Sequence, residues 1–179
     1  MPTYVALLRA VNVPNSTKLS MAEFRKLLEG LGYKRVETYI QSGNAVFDAP
    51  VPAAKTAKAI AAALEKLMGG PVGVLLRTHE ELGRVIAGNP YASEAAADGA
   101  RVHAVFLSGI PVEAAIAGLK KIPPRSDRYH HLGDTLYLHL PDGAAESKFT
   151  AKTLDRILGV NVTARNWNTV VKLHEMSRR

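Results

Sequence analysis

The stretch Tyr39-Ile40-Gln41-Ser42-Gly43-Asn44-Ala45-Val46-Phe47 decides the fold, because the chain contains a second stretch on the same template. That second stretch is Tyr129-His130-His131-Leu132-Gly133-Asp134-Thr135-Leu136-Tyr137, and both read Tyr-x3-Gly-(Asn/Asp)-x2-aromatic. Glycine beside Asn or Asp supplies the positive-φ residues that a tight hairpin needs. Each stretch therefore predicts the central hairpin of one half of the chain, with its last aromatic residue at a core position.

The elements around the first hairpin follow in the order β-α-β-β-α-β, the split βαβ pattern. A capping box of Ser20 and Glu23 opens the first helix, which follows a polar loop over residues 12–18. The predicted elements are a strand over 3–11, a helix over 20–31, strands over 36–40 and 45–47, a helix over 53–68 and a strand over 72–77. A short helix over 80–86 comes next, and Gly88-Asn89-Pro90-Tyr91 together with the small residues of 92–99 predicts a linker.

The same order of elements is predicted again after the linker. The strands are expected over 102–107, 128–132, 135–140 and 160–163, and the helices over 112–119, 149–158 and 168–176. Asn168 is the expected N-cap of the last helix. The triplets Ala54-Lys55-Thr56 and Ala151-Lys152-Thr153 fall in the corresponding helix of each half. We therefore predict an α+β protein of two ferredoxin-like (βαββαβ) halves related by internal duplication, at residues 1–90 and 91–179.

Composition narrows the class of protein. The chain has 179 residues, of which 47% are apolar, so it can bury a core without disulfides or metals. It has no cysteine, which excludes thiol catalysis and zinc ribbons and fits a reducing compartment. No apolar run approaches the roughly 18–20 residues of a membrane span, and the opening residues predict a strand rather than a signal peptide. A cytoplasmic protein with no membrane partner is expected.

The net charge of +7 is spread over both halves of the chain. An excess of this size attracts nucleic acids and anionic metabolites. The other interpretation is a solvated surface that is rich in Lys and Arg. The charge alone does not separate the two.

Blocks from one end of the chain to the other resemble a known family. They are residues 4–13, residues 38–47, Ser147-Lys148 and residues 163–169. Together they are similar to a bacterial domain-of-unknown-function family, DUF1697. The resemblance implies a tandem pair of ferredoxin-like halves and no established activity.

The first loop departs from the pattern of that family, which usually has two glycines after the first Asn-Val. Here Pro14 and Asn15 stand in that place. Proline has no backbone N–H. A phosphate cradle built from the N–H groups of this loop is therefore in doubt.

Several cations could converge on one anion. Ser147-Lys148 precedes the helix predicted from Phe149, and helix N-termini attract anions. Arg9, Lys18 and Arg165 would join Lys148 if the halves pack face to face. The alternative is that Ser147 caps the helix and the cations are solvated.

Two further clusters admit both a binding and a structural interpretation. Arg165-Asn166-Trp167-Asn168 holds the only tryptophan, and an aromatic face beside Arg can stack on a base. The structural interpretation is that Trp167 anchors a core or subdomain interface while Asn166 and Asn168 form a bend and a helix cap. Gln41-Ser42-Gly43-Asn44 offers amides and a hydroxyl, which a hairpin turn also uses for backbone reasons.

Metal and catalytic patterns are missing from the sequence. His130 and His131 are neighbours on a strand and point to opposite faces, and no HExxH spacing occurs. No metal or cofactor is expected. No nucleophile–base pair stands out, so catalytic residues stay unknown and enzymatic activity stays open.

The leading hypothesis is binding of an anionic small molecule or nucleotide in a basic cleft between the halves. The alternatives are RNA or single-stranded DNA binding and a ligand-free protein-interaction module that uses an edge strand. The oligomeric state is open. The predicted anion ligands are Arg9, Asn12, Lys18, Ser42, Asn44, Ser147, Lys148, Arg165, Asn166, Trp167 and Asn168.

Overall fold

A computed structural model describes residues 1–16 and 18–179, so Thr17 of the predicted polar loop lies outside the described residues. The chain forms two compact units. Unit 1 consists of Met1–Gly83 together with Lys172–Arg179, and unit 2 consists of Arg84–Val171. The domain boundary at residue 90 stays a prediction from sequence.

Unit 1 holds a four-stranded antiparallel sheet in the order β2-β3-β1-β4. Two helices pack on one face of this sheet around a core that includes Phe24, Phe47 and Ile60. The elements are β1 Thr3–Leu8, α1 Met21–Gly30, β2 Lys34–Tyr39, β3 Asn44–Asp48, α2 Ala53–Met68 and β4 Val74–Arg77, followed by α3 His79–Ala87.

Unit 2 holds a second sheet of the same kind, in the order β6-β7-β5-β8. Its core on the helix side includes Leu136, Phe149 and Leu154. The elements are α4 Ala92–Ala97, β5 Val102–Leu107, α5 Glu113–Ala117, β6 Arg128–Leu132, β7 Thr135–His139, α6 Ala151–Leu158, β8 Val162–Asn166 and α7 Trp167–Met176. The boundaries between the units fall inside α3 and α7.

The two halves are similar, as the repeated order of elements predicted, and the α+β class is confirmed. In each sheet the first strand of the half lies between the third and the fourth. The local signals were strong where the prediction succeeded. The capping box of Ser20 and Glu23 is present, and α2 has the predicted bounds and ends at Gly69, whose φ is 76°.

The sequence template of the two hairpins is one residue out of register with the structure. Val5 pairs with Val46 in the first sheet, and its counterpart Ala104 pairs with Tyr137 in the second. Tyr137 therefore corresponds to Val46 and not to Phe47. Because side chains alternate along a strand, a slip of one residue changes the face. Both aromatic residues are buried as predicted, but Phe47 belongs to the helix-side core and Tyr137 lies on the other face.

Three local predictions are corrected by the structure. The predicted linker over 88–99 contains the helix α4, which its alanines favour. The helix expected from Phe149 begins at Ala151, because Thr150 accepts a hydrogen bond from the backbone of Thr153 and caps it. The last helix begins at Trp167, and Asn166 rather than Asn168 caps it, by accepting from the N–H of Thr169 at 3.0 Å.

The first strand ends at Leu8, three residues earlier than predicted. Ala10 and Asn12 have φ values of 54° and 57°, which extended strands do not adopt. Among the helices of the described residues, none is long and apolar enough to cross a membrane.

Candidate functional site

The predicted ligand residues of unit 1 gather where β1 ends, and Asn12 holds this region together. Its Nδ2 donates to the carbonyls of Leu19 and Gln41, both at 2.7 Å, and its Oδ1 accepts from the N–H of Leu19 at 2.8 Å. These bonds join the first loop to the β2–β3 turn. The side-chain amide of Asn12 is thereby committed to the fold.

Ser42 and Asn44 lie in that same turn. Asn44 is fully buried, and its Nδ2 donates to the carbonyl of Tyr39 at 3.0 Å and to Oγ of Ser42 at 2.9 Å. The N–H of Arg9 donates to the carbonyl of Gly73 at 2.9 Å, and Lys18 is exposed. The structure therefore brings Asn12 and the turn together. The side-chain amides of Asn12 and Asn44 hydrogen-bond to backbone carbonyls there.

Arg165 in the second sheet and Arg77 in the first occupy equivalent positions. Arg165 lies opposite Ala104 on β8, as Arg77 lies opposite Val5 on β4. Each of these arginines is buried and donates to the carbonyl of the residue before it, at 2.8 and 2.9 Å. Arg165 also donates to Oγ1 of Thr163 at 2.8 Å. Burial lowers the pKa of Arg165 to about 10, so it remains charged at neutral pH.

The three residues after Arg165 make packing and capping contacts within unit 2. Trp167 is buried, with its ring centroid 6.4 Å from that of Tyr137. Asn166 caps α7. The Oδ1 of Asn168 lies over Gly99, so close that a Cβ on Gly99 would come within 2.1 Å of it. These contacts place Asn166, Trp167 and Asn168 in the packing of unit 2.

Lys148 lies in a different environment from its neighbour Ser147. Ser147 is buried, and its Oγ accepts from the N–H of Phe149 at 3.1 Å. Lys148 is exposed and lines a cavity of about 490 Å³ between α5 with the turn after it and α6. Lys148 is the predicted ligand that lines this cavity; Ser147 and the Arg165–Asn168 segment do not.

The cavity combines an apolar wall with cations. Six of its lining residues are small or apolar: Ala114, Ala115, Gly118, Ile122, Pro123 and Ile157. The other four are Lys121, Lys148, Thr153 and Arg156, so the lining contains no carboxylate. Gly118 and Ile157 bring the two helical segments close together, since a Cβ on Gly118 would come 3.1 Å from Cγ2 of Ile157.

Helical spacing explains how α6 contributes to the cavity. Thr153, Arg156 and Ile157 stand at i, i+3 and i+4, which places them on one side of a helix. Leu154 and Leu158 form the buried side of α6. Ile157 thus borders the core, and it faces the cavity together with Thr153 and Arg156. Lys121 comes from the short 3₁₀ turn Gly118–Lys121 that continues α5.

The three cations are electrostatically unpaired. Within the described part of the chain, none of Lys121, Lys148 and Arg156 makes a salt bridge with a carboxylate. The cavity can therefore attract an anion with all three charges. Among residues 1–16 and 18–179 there is no group of three His, Asp or Glu side chains that could hold a metal ion.

Sequence reasoning missed Lys121, Thr153 and Arg156. The spacing of Thr153, Arg156 and Ile157 was available, but a helical face does not show what lies opposite it. The pair Lys120-Lys121 was also visible. Only the packing of α5 against α6 selects Lys121 from that pair.

Comparison with known proteins supports the family and the fold. The family model described as "Protein of unknown function (DUF1697)" matches residues 1–137. The chain is similar to a solved structure of the conserved bacterial protein SP0830 from Streptococcus pneumoniae, with a TM-score of 0.78 and 24% sequence identity. That similarity covers 100% of this chain and 99% of the other, and it shows the fold. No curated protein matches the chain.

Proposed function

We propose that this chain, which belongs to the DUF1697 family of proteins of unknown function, binds an anionic small molecule or nucleotide in the cavity of unit 2. The observation that carries the proposal is the lining of this cavity. Lys121, Lys148 and Arg156 reach it from separate segments, and no carboxylate accompanies them. Of the predicted ligands, the proposal retains Lys148.

Electrostatics gives a reason for such an arrangement to hold an anion. Like charges around one cavity repel each other, and this repulsion is relieved when an anion binds between them. Arg also offers a planar fork of donors that matches phosphate and carboxylate oxygens. The volume of about 490 Å³ lies in the range typical of small-molecule sites.

Thermal unfolding in low-salt buffer tests the proposal, with phosphorylated metabolites, nucleotides and short oligonucleotides as probes. A ligand that binds only the folded state, present at 100 times its Kd, adds about 2.7 kcal/mol to the free energy of unfolding. We expect a shift with at least one small anion, and we expect Lys121→Gln and Lys148→Gln to reduce it.

The chain offers matched controls for both substitutions. Lys120 is adjacent to Lys121, and Lys152 lies four residues after Lys148; both are exposed and neither lines the cavity. Lys120→Gln and Lys152→Gln remove the same net charge from unit 2. A shift that all four variants reduce equally would contradict a site in the cavity and would indicate diffuse attraction.

Nucleic-acid binding is a second candidate, which the net charge of +7 favours. It predicts stabilisation by oligonucleotides alone, with a steep loss of affinity as salt is added. No shift with any probe would remove both candidates and leave a protein-interaction module.

We also propose that each half is ferredoxin-like and that the protein is cytoplasmic. The strand orders β2-β3-β1-β4 and β6-β7-β5-β8 support the first, because a βαββαβ unit produces this order when each helix crosses over one strand. The absence of cysteine supports the second.

A further inference from the structure

We infer, on the basis of the proposed function, that the cavity of unit 2 selects a phosphate monoester with a compact apolar body, rather than a nucleotide. Three properties of the lining support it: the hydrogen-bonding capacity of the side chains, their apolar share and the charge that they can balance.

The polar side chains of the cavity are all hydrogen-bond donors. Lys121, Lys148 and Arg156 have no acceptor atoms. The Oγ1 of Thr153 already accepts from the hydroxyl of Thr150 at 3.0 Å, which leaves Thr153 its own hydroxyl hydrogen to donate. Such side chains suit phosphate oxygens, which only accept. Apart from the second lone pair of Thr153, they offer no side-chain acceptor for the hydrogens of ribose hydroxyls or base amino groups.

The remaining lining side chains offer no hydrogen bonds at all. They include Ile122, Pro123 and Ile157 of the apolar wall, and the lining contains no aromatic ring on which a base could stack. A ligand body without hydrogen-bonding groups fits this wall, because a polar body would be desolvated there without compensation. The wall therefore favours a hydrocarbon ring or a branched aliphatic chain.

The number of cations favours phosphate over carboxylate. A phosphate monoester carries about −1.5 to −2 charges at pH 7, whereas a carboxylate carries one. Three cations without a carboxylate partner balance the larger charge better. A cavity of about 490 Å³ has room for the phosphate and an organic body, since small-molecule sites have volumes of this order.

Isothermal titration calorimetry at low salt tests the inference with three probes: phenyl phosphate, inorganic phosphate and adenosine monophosphate. We expect phenyl phosphate to bind at least tenfold more tightly than the other two. Lys121→Gln and Lys148→Gln should each weaken its binding at least fivefold, while Lys120→Gln and Lys152→Gln should stay within twofold of the unmodified chain.

A change in the apolar wall separates its contribution from that of the cations. Ile157→Thr keeps a β-branched side chain but replaces apolar surface with a hydroxyl. It should weaken phenyl phosphate at least threefold and leave inorganic phosphate within twofold. Circular dichroism checks that the variant is folded, and Ile157→Val is the second variant if it is not.

The possible outcomes separate the inference from the function on which it rests. Equal binding of the three probes that still depends on Lys121 and Lys148 would overturn the inference and leave anion binding in place. Binding that does not depend on Lys121 and Lys148, or no binding at all, would overturn both the inference and the proposed function. Vesicles that contain phosphatidic acid present the same phosphate monoester on a lipid. Binding to them without binding of phenyl phosphate would overturn the inference of a soluble ligand.

Discussion

Removal of one hydroxyl group from Tyr137 should destabilise unit 2 measurably. The hydroxyl donates to the carbonyl of Val85 at 2.7 Å, and both groups are buried. Val85 lies in the last turn of α3, where carbonyls lack helical partners. The next available N–H, that of Asn89, donates to Ile86 instead. Tyr137 thus satisfies a carbonyl at the end of α3.

The expected magnitude follows from this geometry. Tyr137→Phe keeps the ring but leaves a buried carbonyl without its donor, which costs about 1–3 kcal/mol. Gly88 packs closely against this hydroxyl, since a Cβ on Gly88 would come 2.9 Å from it. In a chain of this length each kcal/mol lowers the Tm by about 2–4 °C.

The assay is chemical denaturation monitored by tryptophan fluorescence. Trp167 is the only tryptophan, and its ring centroid lies 6.4 Å from that of Tyr137, so its emission reports on this part of unit 2. Tyr129→Phe is the matched control, because the Tyr129 ring packs on Phe149 while its hydroxyl makes no hydrogen bond within the described chain. A loss below about 0.5 kcal/mol for Tyr137→Phe, or an equal loss for both variants, would refute the reasoning.

Three further perturbations have defined outcomes. Asn12→Ala removes three hydrogen bonds to backbone groups and should lower the free energy of unfolding by about 2–4 kcal/mol in urea titration, whereas a loss below 1 kcal/mol would show that the loop holds without them. Gly99→Ala should cost about 1–3 kcal/mol by forcing Asn168 aside, and Asn168→Ala in the same chain should recover most of that loss; no recovery would contradict the clash. Burial, with the charges of His79 and Arg178, lowers the pKa of His174 below its ordinary value of 6.5, so the folded state takes up this proton later than the unfolded state as the pH falls. Stability should therefore decline from about pH 6.5 downward, and His174→Gln should reduce that decline in thermal unfolding between pH 7.5 and 5; an unchanged pH profile would exclude this group as the cause.

The parts of the fold with strong local signals were predictable from sequence. The capping box at Ser20, the apolar spacing of Ala53–Met68 and the dense apolar run of Val102–Leu107 each determine their element over a few neighbouring residues. The order of elements also repeats, so the pairing of strands within each half could be anticipated. These predictions succeeded because local preferences and the tertiary structure agree.

Strand register and helix caps were harder to predict from the sequence than the elements themselves. The hairpin template aligned Gly43 with Gly133, yet the N–H of Leu8 donates to Gly43 and that of its counterpart Leu107 donates to Asp134. The turns therefore differ by one residue in their relation to the sheet. Among the polar residues before a helix, only the backbone geometry selects Thr150 and Asn166 as caps.

The candidate site could be predicted only in part for a related reason. Asn12, Ser42 and Asn44 are polar because the backbone of the first loop and turn needs them, and the same residue types would serve a ligand. Lys148 was predicted from its place before α6. Lys121 and Arg156 lie far apart in sequence, and they line one cavity because Gly118 packs against Ile157.

The division of unit 1 into two segments has a consequence for the growing chain. Residues 172–179 are synthesised after the whole of unit 2, yet they supply His174, whose ring stacks on His79 at 4.1 Å, and Arg179, which pairs with Glu37 and approaches Asp48. Domains usually complete their folding from the N-terminus onward during translation. Here the synthesis of unit 1 starts first and ends last. On the ribosome, unit 2 can therefore form its native contacts before residues 172–179 are available to complete unit 1.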